Sequence, residues 1–298
     1  MEMHQLRYFA AVARTGSFTR AAESCRVAQP SLSQQIRKLE EEVGERLLER
    51  GRQRTGLTPA GTLFLPHALG ILETAEQGRR AVREMDGVVR GRIVLGVLPT
   101  IAPYFLPEVL RRFRQRHAAV DWVVQEETTA RLLRGIEENE IDAALISDTA
   151  ADPDLRLETL FREELLLCLP KRHPLVRQER VAAADLRQEK FILMEEGHCL
   201  GTQAHDYCRT KGFHPHISCR SVQVSTVQAL VQAGLGISLI PQMARDRRAP
   251  QGLVYRSLHG VKPTRPIILA LPRHRKPSPA VLALAAFLRE ERHGMRLS

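Results

Sequence analysis

The first 43 residues set the strongest constraint on the fold, because they hold three helical patterns separated by short turns. Leu6, Phe9, Ala10 and Ala13 fall at i, i+3, i+4 and i+7, an apolar stripe on a first helix that ends near Thr15-Gly16. Ser17 is placed to cap a second helix, whose Ala21 and Ala22 are small enough for another helix to approach closely. Arg26-Val27-Ala28-Gln29 makes a short turn, and Pro30 opens a third helix where its missing N–H costs nothing. On that helix Leu32, Ile36, Leu39 and Val43 form the stripe to be buried.

The same helix begins at Gln29-Pro30 and carries Ser31, Ser33, Gln34, Arg37 and Lys38 on faces left for solvent or DNA. Hydroxyls, an amide and a guanidinium can bond base edges or phosphates, and a helix entering the major groove presents its first turns to the bases. After Leu47-Leu48, the turn-rich stretch to Leu57 places Arg50, Arg52 and Arg54 at alternate positions, suited to a hairpin wing on phosphates. Helix, turn, helix and wing occur in order, an all-α winged helix-turn-helix over residues 1–58 whose expected partner is double-stranded DNA. The net charge of +10 suits an acidic partner, although residues 1–58 hold ten Lys/Arg against seven Asp/Glu and carry a part of that excess.

At this point the residues resemble a known family. Leu6-Arg7-Tyr8-Phe9 with Val12, Gly16-Ser17-Phe18, Ala21-Ala22, Gln29-Pro30-Ser31-Leu32-Ser33, Ile36, Leu39-Glu40 and Leu57-Thr58-Pro59-Ala60-Gly61 are similar to the LysR-type transcriptional regulators. A match spread over sixty residues is far more specific than a short motif.

Thr58 can cap and Pro59 can open a long helix to about Asp86, roughly 40 Å at 1.5 Å per residue. Phe64, Ala68, Ile71, Ala75, Gly78, Val82, Met85 and Val89 alternate steps of four and three, a heptad-like seam for a second copy of the chain. A surface helix packed on its own chain gives the same pattern. The resemblance favours the dimer, and implies a homodimer or homotetramer that also engages RNA polymerase. Pro66 lies inside this linker segment, residues 59–90, and should kink it.

Residues 91–298 alternate short apolar runs with amphipathic stretches. Strands are expected at Ile93 to Leu98, Val120 to Gln125, Asp142 to Ile146, Glu164 to Leu169, Phe191 to Met194, Ile217 to Arg220, Ile237 to Ile240 and Ile267 to Leu271. Helices fall between them, around Tyr104 to His117 and Thr129 to Glu138. That rhythm indicates α/β units with a largely parallel sheet in two lobes. It resembles the family's periplasmic-binding-protein-like effector domain, where ligands meet the cleft between lobes. No stretch approaches a bilayer-spanning length and no export signal opens the sequence, so a cytoplasmic protein without membrane attachment is expected.

Five cysteines in an untargeted chain of this length read as thiols rather than a disulfide framework. Cys199 follows an apolar strand and Glu195-Glu196-Gly197-His198, just ahead of a helical stretch from Gly201 to Gly212. A helix N-terminus and an adjacent His favour a thiolate, while two adjacent Glu oppose it. Cys208 lies nine residues on, and an intervening helix would hold the pair about 12 to 14 Å apart along its axis, beyond disulfide reach. Gly-His-Cys-Leu with a second Cys at this spacing, plus Leu98-Pro99-Thr100, is similar to the OxyR branch of the family, which senses peroxide. The resemblance implies Cys199 as peroxidatic residue, Cys208 as resolving residue, and Thr100 and His198 as groups that place hydrogen peroxide, with Thr129 and Arg265 as further carry-overs. Gly201-Thr202 stands where the family commonly has Arg-Asp, a departure that bears on the tuning of reactivity.

Cys168 within a leucine run and Cys25 at a helix end read as small buried hydrophobes. His214, His216 and Cys219 match no zinc spacing, so no metal and no cofactor are expected. The reading is therefore a peroxide-responsive DNA-binding regulator that is not an enzyme. The alternatives are a regulator with a small organic effector in the cleft, or a thiol peroxidase, which would have no use for the N-terminal module.

Overall fold

In the computed structural model, residues 1–50, 55–83, 88–147, 152–195, 199–245 and 252–291 are described. The chain forms two compact units, Met1–Gly87 and Val88–Ser298.

In the first unit α1 (Met3–Thr15), α2 (Phe18–Cys25) and α3 (Gln29–Val43) precede a hairpin of β1 (Leu48–Arg50) and β2 (Thr55–Leu57), then α4 (Pro59–Arg83). Gly16 ends α1 in the left-handed region, and the Ser17 side chain accepts from the Arg20 N–H to cap α2, as the sequence suggests. The core is Leu6, Phe9, Val12, Ala21, Ala22, Leu32, Ile36 and Leu39, closed from α4 by Phe64 and Ala68. Val43 is exposed rather than buried: it stands at the last position of α3, beyond the reach of the helices that cover Leu39. The Glu40 carboxylate accepts from the N–H groups of Leu47 and Leu48 at 2.9 and 3.1 Å, tying the end of α3 to the start of the hairpin. Thr58 Oγ1 accepts from the Gly61 N–H at 2.9 Å and caps α4. At Gly61 a Cβ would collide with the Leu47 carbonyl, so glycine is required for α4 to leave the hairpin this closely.

The second unit continues with β3 (Gly91–Val97), α5 (Ala102–Arg116), β4 (Val120–Glu126), α6 (Thr129–Glu137), β5 (Ala143–Ile146) and β6 (Leu155–Pro170). Then come β7 (Lys190–Met194), α7 (Cys199–Thr210), β8 (His216–Ser221), α8 (Val224–Gln232), β9 (Ser238–Pro241), β10 (Leu253–Arg256), β11 (Thr264–Pro272) and α9 (Pro279–Glu291). The lobes have separate cores. Lobe 1 packs α5, α6 and α9 on β3, β5 and β11; lobe 2 packs α7 and α8 with β7, β9 and the second half of β6.

The expectation of a largely parallel sheet is corrected. β3 pairs in parallel with β4 and β5, and β7 with β8, but β11 runs antiparallel to β5 and β6, and β6 antiparallel to β9 and β10. The reason is β6, which is sixteen residues long and threads both lobes, with Leu155 and Leu160 in one core and Leu165, Leu167 and Leu169 in the other. A strand that crosses between lobes must be met by one returning, and β11 does so.

Candidate functional site

On α3 the apolar stripe fixes which residues point outward. With Leu32, Ile36 and Leu39 buried, Gln29, Pro30, Ser31, Gln34, Arg37 and Lys38 are exposed and Ser33 is half-buried. These side chains cover the first turns of the helix and one flank, the geometry of a helix that docks by its N-terminal end. The backbone of Arg50 lies in β1; Arg52 and Arg54 are outside the described residues.

The heptad-like seam on α4 divides. Phe64 and Ala68 turn inward, Phe64 lying 5.7 Å from the Phe9 ring, because the module needs a lid over its three-helix core. Farther along, Pro66, His67, Gly70, Ile71, Thr74 and Ala75 line a shallow apolar groove, beside an exposed Leu63. Met85 lies outside the described residues, and Val89 packs against the lobe 1 core.

In the second unit the fold explains where each candidate residue stands. Strand β7 delivers the chain to α7, and Cys199 opens that helix, half-buried against the lobe 1 core. Cys208 is fully buried on the same helix within the lobe 2 core. Nine residues of α-helix turn through about two and a half revolutions and rise about 13 Å. The two sulfurs therefore start on opposite faces, one toward each lobe. Both are thiols in this structure. Burial pushes the Cys208 thiol up to about 12, so it is protonated at neutral pH. Gly201 sits where a Cβ would come within 2.6 Å of the Met194 carbonyl oxygen, so the first turn of α7 rests directly on the end of β7. Thr202 is exposed. His198 is outside the described residues.

Thr100 and Arg265 are brought together although 165 positions separate them. Arg265 Nη1 donates to Thr100 Oγ1 at 2.8 Å and Nη2 to the Thr100 carbonyl at 3.0 Å. Because Oγ1 accepts there, its own proton is left to donate elsewhere. Arg265 Nε donates to Glu163 Oε1 at 2.7 Å, and Glu163 Oε2 accepts from the Met243 N–H at 2.9 Å. Arg265 and Glu163 face each other across the β6–β11 register, and both are buried. A buried guanidinium is tolerated only when paired and hydrogen-bonded, and Glu163 meets that requirement. Thr129 stands at the first position of α6 with its hydroxyl buried and without a hydrogen-bond partner among the described residues, so it does not join this network.

Sequence reasoning misses Glu163, Ser147 and Gln203. Gln203 Nε2 donates to the Ser147 carbonyl at 2.6 Å and to Ser147 Oγ at 3.2 Å. The one signal available was its spacing of four from Cys199, which puts both on one helix face. Among the other cysteines, Cys168 is fully buried, its thiol pushed up to about 12 by burial, whereas Cys25 is half-buried. Cys219 is also half-buried, and no cluster of three or more potential metal ligands occurs among the described residues. No helix among them is long and apolar enough to cross a membrane.

Residues 3–62 match the model of the bacterial regulatory helix-turn-helix protein, lysR family, and residues 86–292 that of the LysR substrate binding domain. The chain belongs to the LysR family, in its OxyR branch. A hydrogen peroxide-inducible genes activator from Dickeya chrysanthemi is 33% identical over 270 residues, 90% of this chain and 88% of the relative. A probable activator of the same description from Mycobacterium avium is 38% identical over 240 residues, covering 80% and 77% of the two chains. Among solved structures, a full-length cysteine-to-aspartate variant of OxyR from Pseudomonas aeruginosa superposes with a TM-score of 0.81 at 27% identity, covering 97% of this chain and 95% of that one. In this LysR-family chain the two matched segments fall on the helix-turn-helix module and on the two-lobed unit.

Proposed function

We propose that this chain is a transcriptional regulator that binds double-stranded DNA through α3 and the wing and changes its DNA contacts when hydrogen peroxide oxidises Cys199. The observation that carries the reading is α7, with one thiol at its N-terminal end against lobe 1 and a second, buried thiol on its opposite face. The relatives described as peroxide-inducible activators support it. Residues 1–58 are the DNA-binding domain, 59–90 the linker and 91–298 the sensor. The exposed groove on α4 supports self-association into a homodimer or homotetramer, and the regulator acts in the cytoplasm, where it engages RNA polymerase.

The chemistry balances with peroxide as the oxidant. The Cys199 thiolate attacks one peroxide oxygen, the O–O bond breaks, and the departing hydroxide takes a proton to become water, leaving a sulfenic acid. The Cys208 sulfur then displaces the hydroxyl from Cys199 as a second water, and the S–S bond forms. Two thiols lose two electrons and one peroxide becomes two waters. Thr100, with its hydroxyl proton directed by Arg265, His198 and Thr129 are the groups that place the peroxide. Cys208 cannot attack from the lobe 2 core, since the helix holds it beyond disulfide reach and burial keeps it protonated. Formation of the bond therefore requires α7 to open.

Mass spectrometry before and after brief dilute peroxide is expected to find a Cys199–Cys208 cross-link that dithiothreitol reverses. A Cys199→Ser variant should bind DNA but lose the peroxide-driven change in footprint. An unchanged footprint response in that variant, or peroxide treatment that leaves both thiols alkylatable, defeats the reading.

A further inference from the structure

Gln203 stands one turn after Cys199, and the two share the face of α7 that meets lobe 1. Leu200, Ala204, Tyr207 and Cys208 face the other way, into the lobe 2 core. Ser147, which takes both Gln203 hydrogen bonds, is fully buried just past the end of β5 in lobe 1. A carbonyl only accepts, so the amide nitrogen must be the atom turned toward Ser147. The amide oxygen is buried with no hydrogen-bond partner among the described residues, so Ser147 takes all of the side chain's bonding.

We propose that the Gln203–Ser147 contact is an interlobe latch, with Gln203 the positioning residue that holds α7 in its reduced place and sets the potential at which Cys199 and Cys208 pair. The inference rests on the peroxide-sensing reading above. A disulfide needs Cα atoms within about 7 Å, whereas the helix keeps these two about 13 Å apart along its axis and on opposite faces. Gln203 lies between them, so closing the ring lifts it off Ser147. The latch therefore contributes to the dithiol state alone. The orphaned amide oxygen works against it, because that atom regains water when α7 opens. The balance keeps the latch shallow, strong enough to place the helix and weak enough for one oxidation to release it.

The test is a redox titration of the full chain, equilibrated in buffers of graded reduced-to-oxidised dithiothreitol and read by mass spectrometry of the Cys199–Cys208 pair. Gln203→Glu keeps the side-chain shape but sets acceptor against acceptor at Ser147. It should move the equilibrium about tenfold toward the disulfide, a potential ~30 mV more negative. Ser147→Ala removes the longer bond and leaves the main-chain one, so it should shift the same way by a smaller factor, about two- to fivefold. Should Gln203→Glu fail to fold, the Ser147→Ala shift decides. Potentials equal to the unmodified chain's in the folded variants overturn the latch. A chain that forms no Cys199–Cys208 disulfide in any buffer overturns the sensing reading instead.

Discussion

Helices α3 and α7 carry the residues to which DNA binding and sensing are assigned in the proposed function, and they are built in opposite ways. α3 buries one stripe and leaves its first turns and a flank in solvent, with Ser31, Gln34, Arg37 and Lys38 outward. α7 is enclosed from two sides, Cys199 and Gln203 meeting lobe 1 while Leu200, Ala204, Tyr207 and Cys208 fill lobe 2. On α3, the side chains assigned to recognition are not the ones that fill the core, so the two roles can be changed separately. On α7 and in the Thr100–Arg265–Glu163 network, the side chains to which sensing is assigned are themselves packed or hydrogen-bonded in the interior, so a change to one role is a change to the other.

The largest effect should come from the buried pair. Arg265→Met leaves Glu163 buried and unpaired, and denaturant unfolding of the second unit should lose about 3–5 kcal/mol, part of it regained on adding Glu163→Gln. A loss below about 1 kcal/mol would mean that the network is not integral to the sensor. Next comes Gly61→Ala in the first unit, whose added methyl meets the Leu47 carbonyl and should cost about 1–3 kcal/mol. Unchanged thermal melting of that unit would show that α4 can leave the hairpin by another path.

A pH-dependent effect of smaller practical reach follows from Cys208. Its folded-state pKa is raised from 9.0 to about 12 by burial, so the unfolded chain releases this proton first. The stability it contributes is complete below pH 9 and is lost as pH rises through about 12. Denaturation at pH 8 and pH 10 should show a shallower decline in Cys208→Ala than in the unmodified chain, and parallel slopes would contradict it. Smallest of all in stability is Lys38→Ala, expected to move unfolding by no more than about 0.5 kcal/mol. Its signature is in DNA binding, where affinity should drop across sequences and the salt slope should fall by about 1. Gln34→Ala should instead alter sequence preference. If Lys38→Ala unfolds the module, the contrast between the two helices collapses.

This contrast also governs what could be read from the sequence. The three-helix module is legible because its signals are local: Gly16, Ser17 and Pro30 mark helix ends, and the stripe on α3 leaves the outward residues by subtraction. Most strands of the second unit are legible as apolar runs. The first half of β6 is not, because Leu155 to Glu163 mixes charges into its alternation, and what makes it a strand is β11, about a hundred residues away. For the same reason Glu163 was invisible as the partner of Arg265, and Ser147 as that of Gln203. Helices α8 and α9 and strand β10 are not among the elements expected from the sequence, and each is fixed by the core it packs on. Cys199 and Cys208 stood out by spacing, but the fact that each faces a different lobe emerges from the packing.

The separation of the two sulfurs along α7 sets a time as well as a distance. In the proposed switch, an opening of the helix, a class of motion that runs from microseconds to seconds, stands between formation of the sulfenic acid and its condensation with Cys208 to the disulfide. During that interval a sulfenic acid on Cys199 can still be returned to thiol by cellular reductants. A brief encounter with oxidant would be erased before the helix yields, and a sustained one would not. If Cys208 is the resolving thiol, its buried position would act as a delay element, letting the regulator respond to the duration of an oxidant as well as its presence.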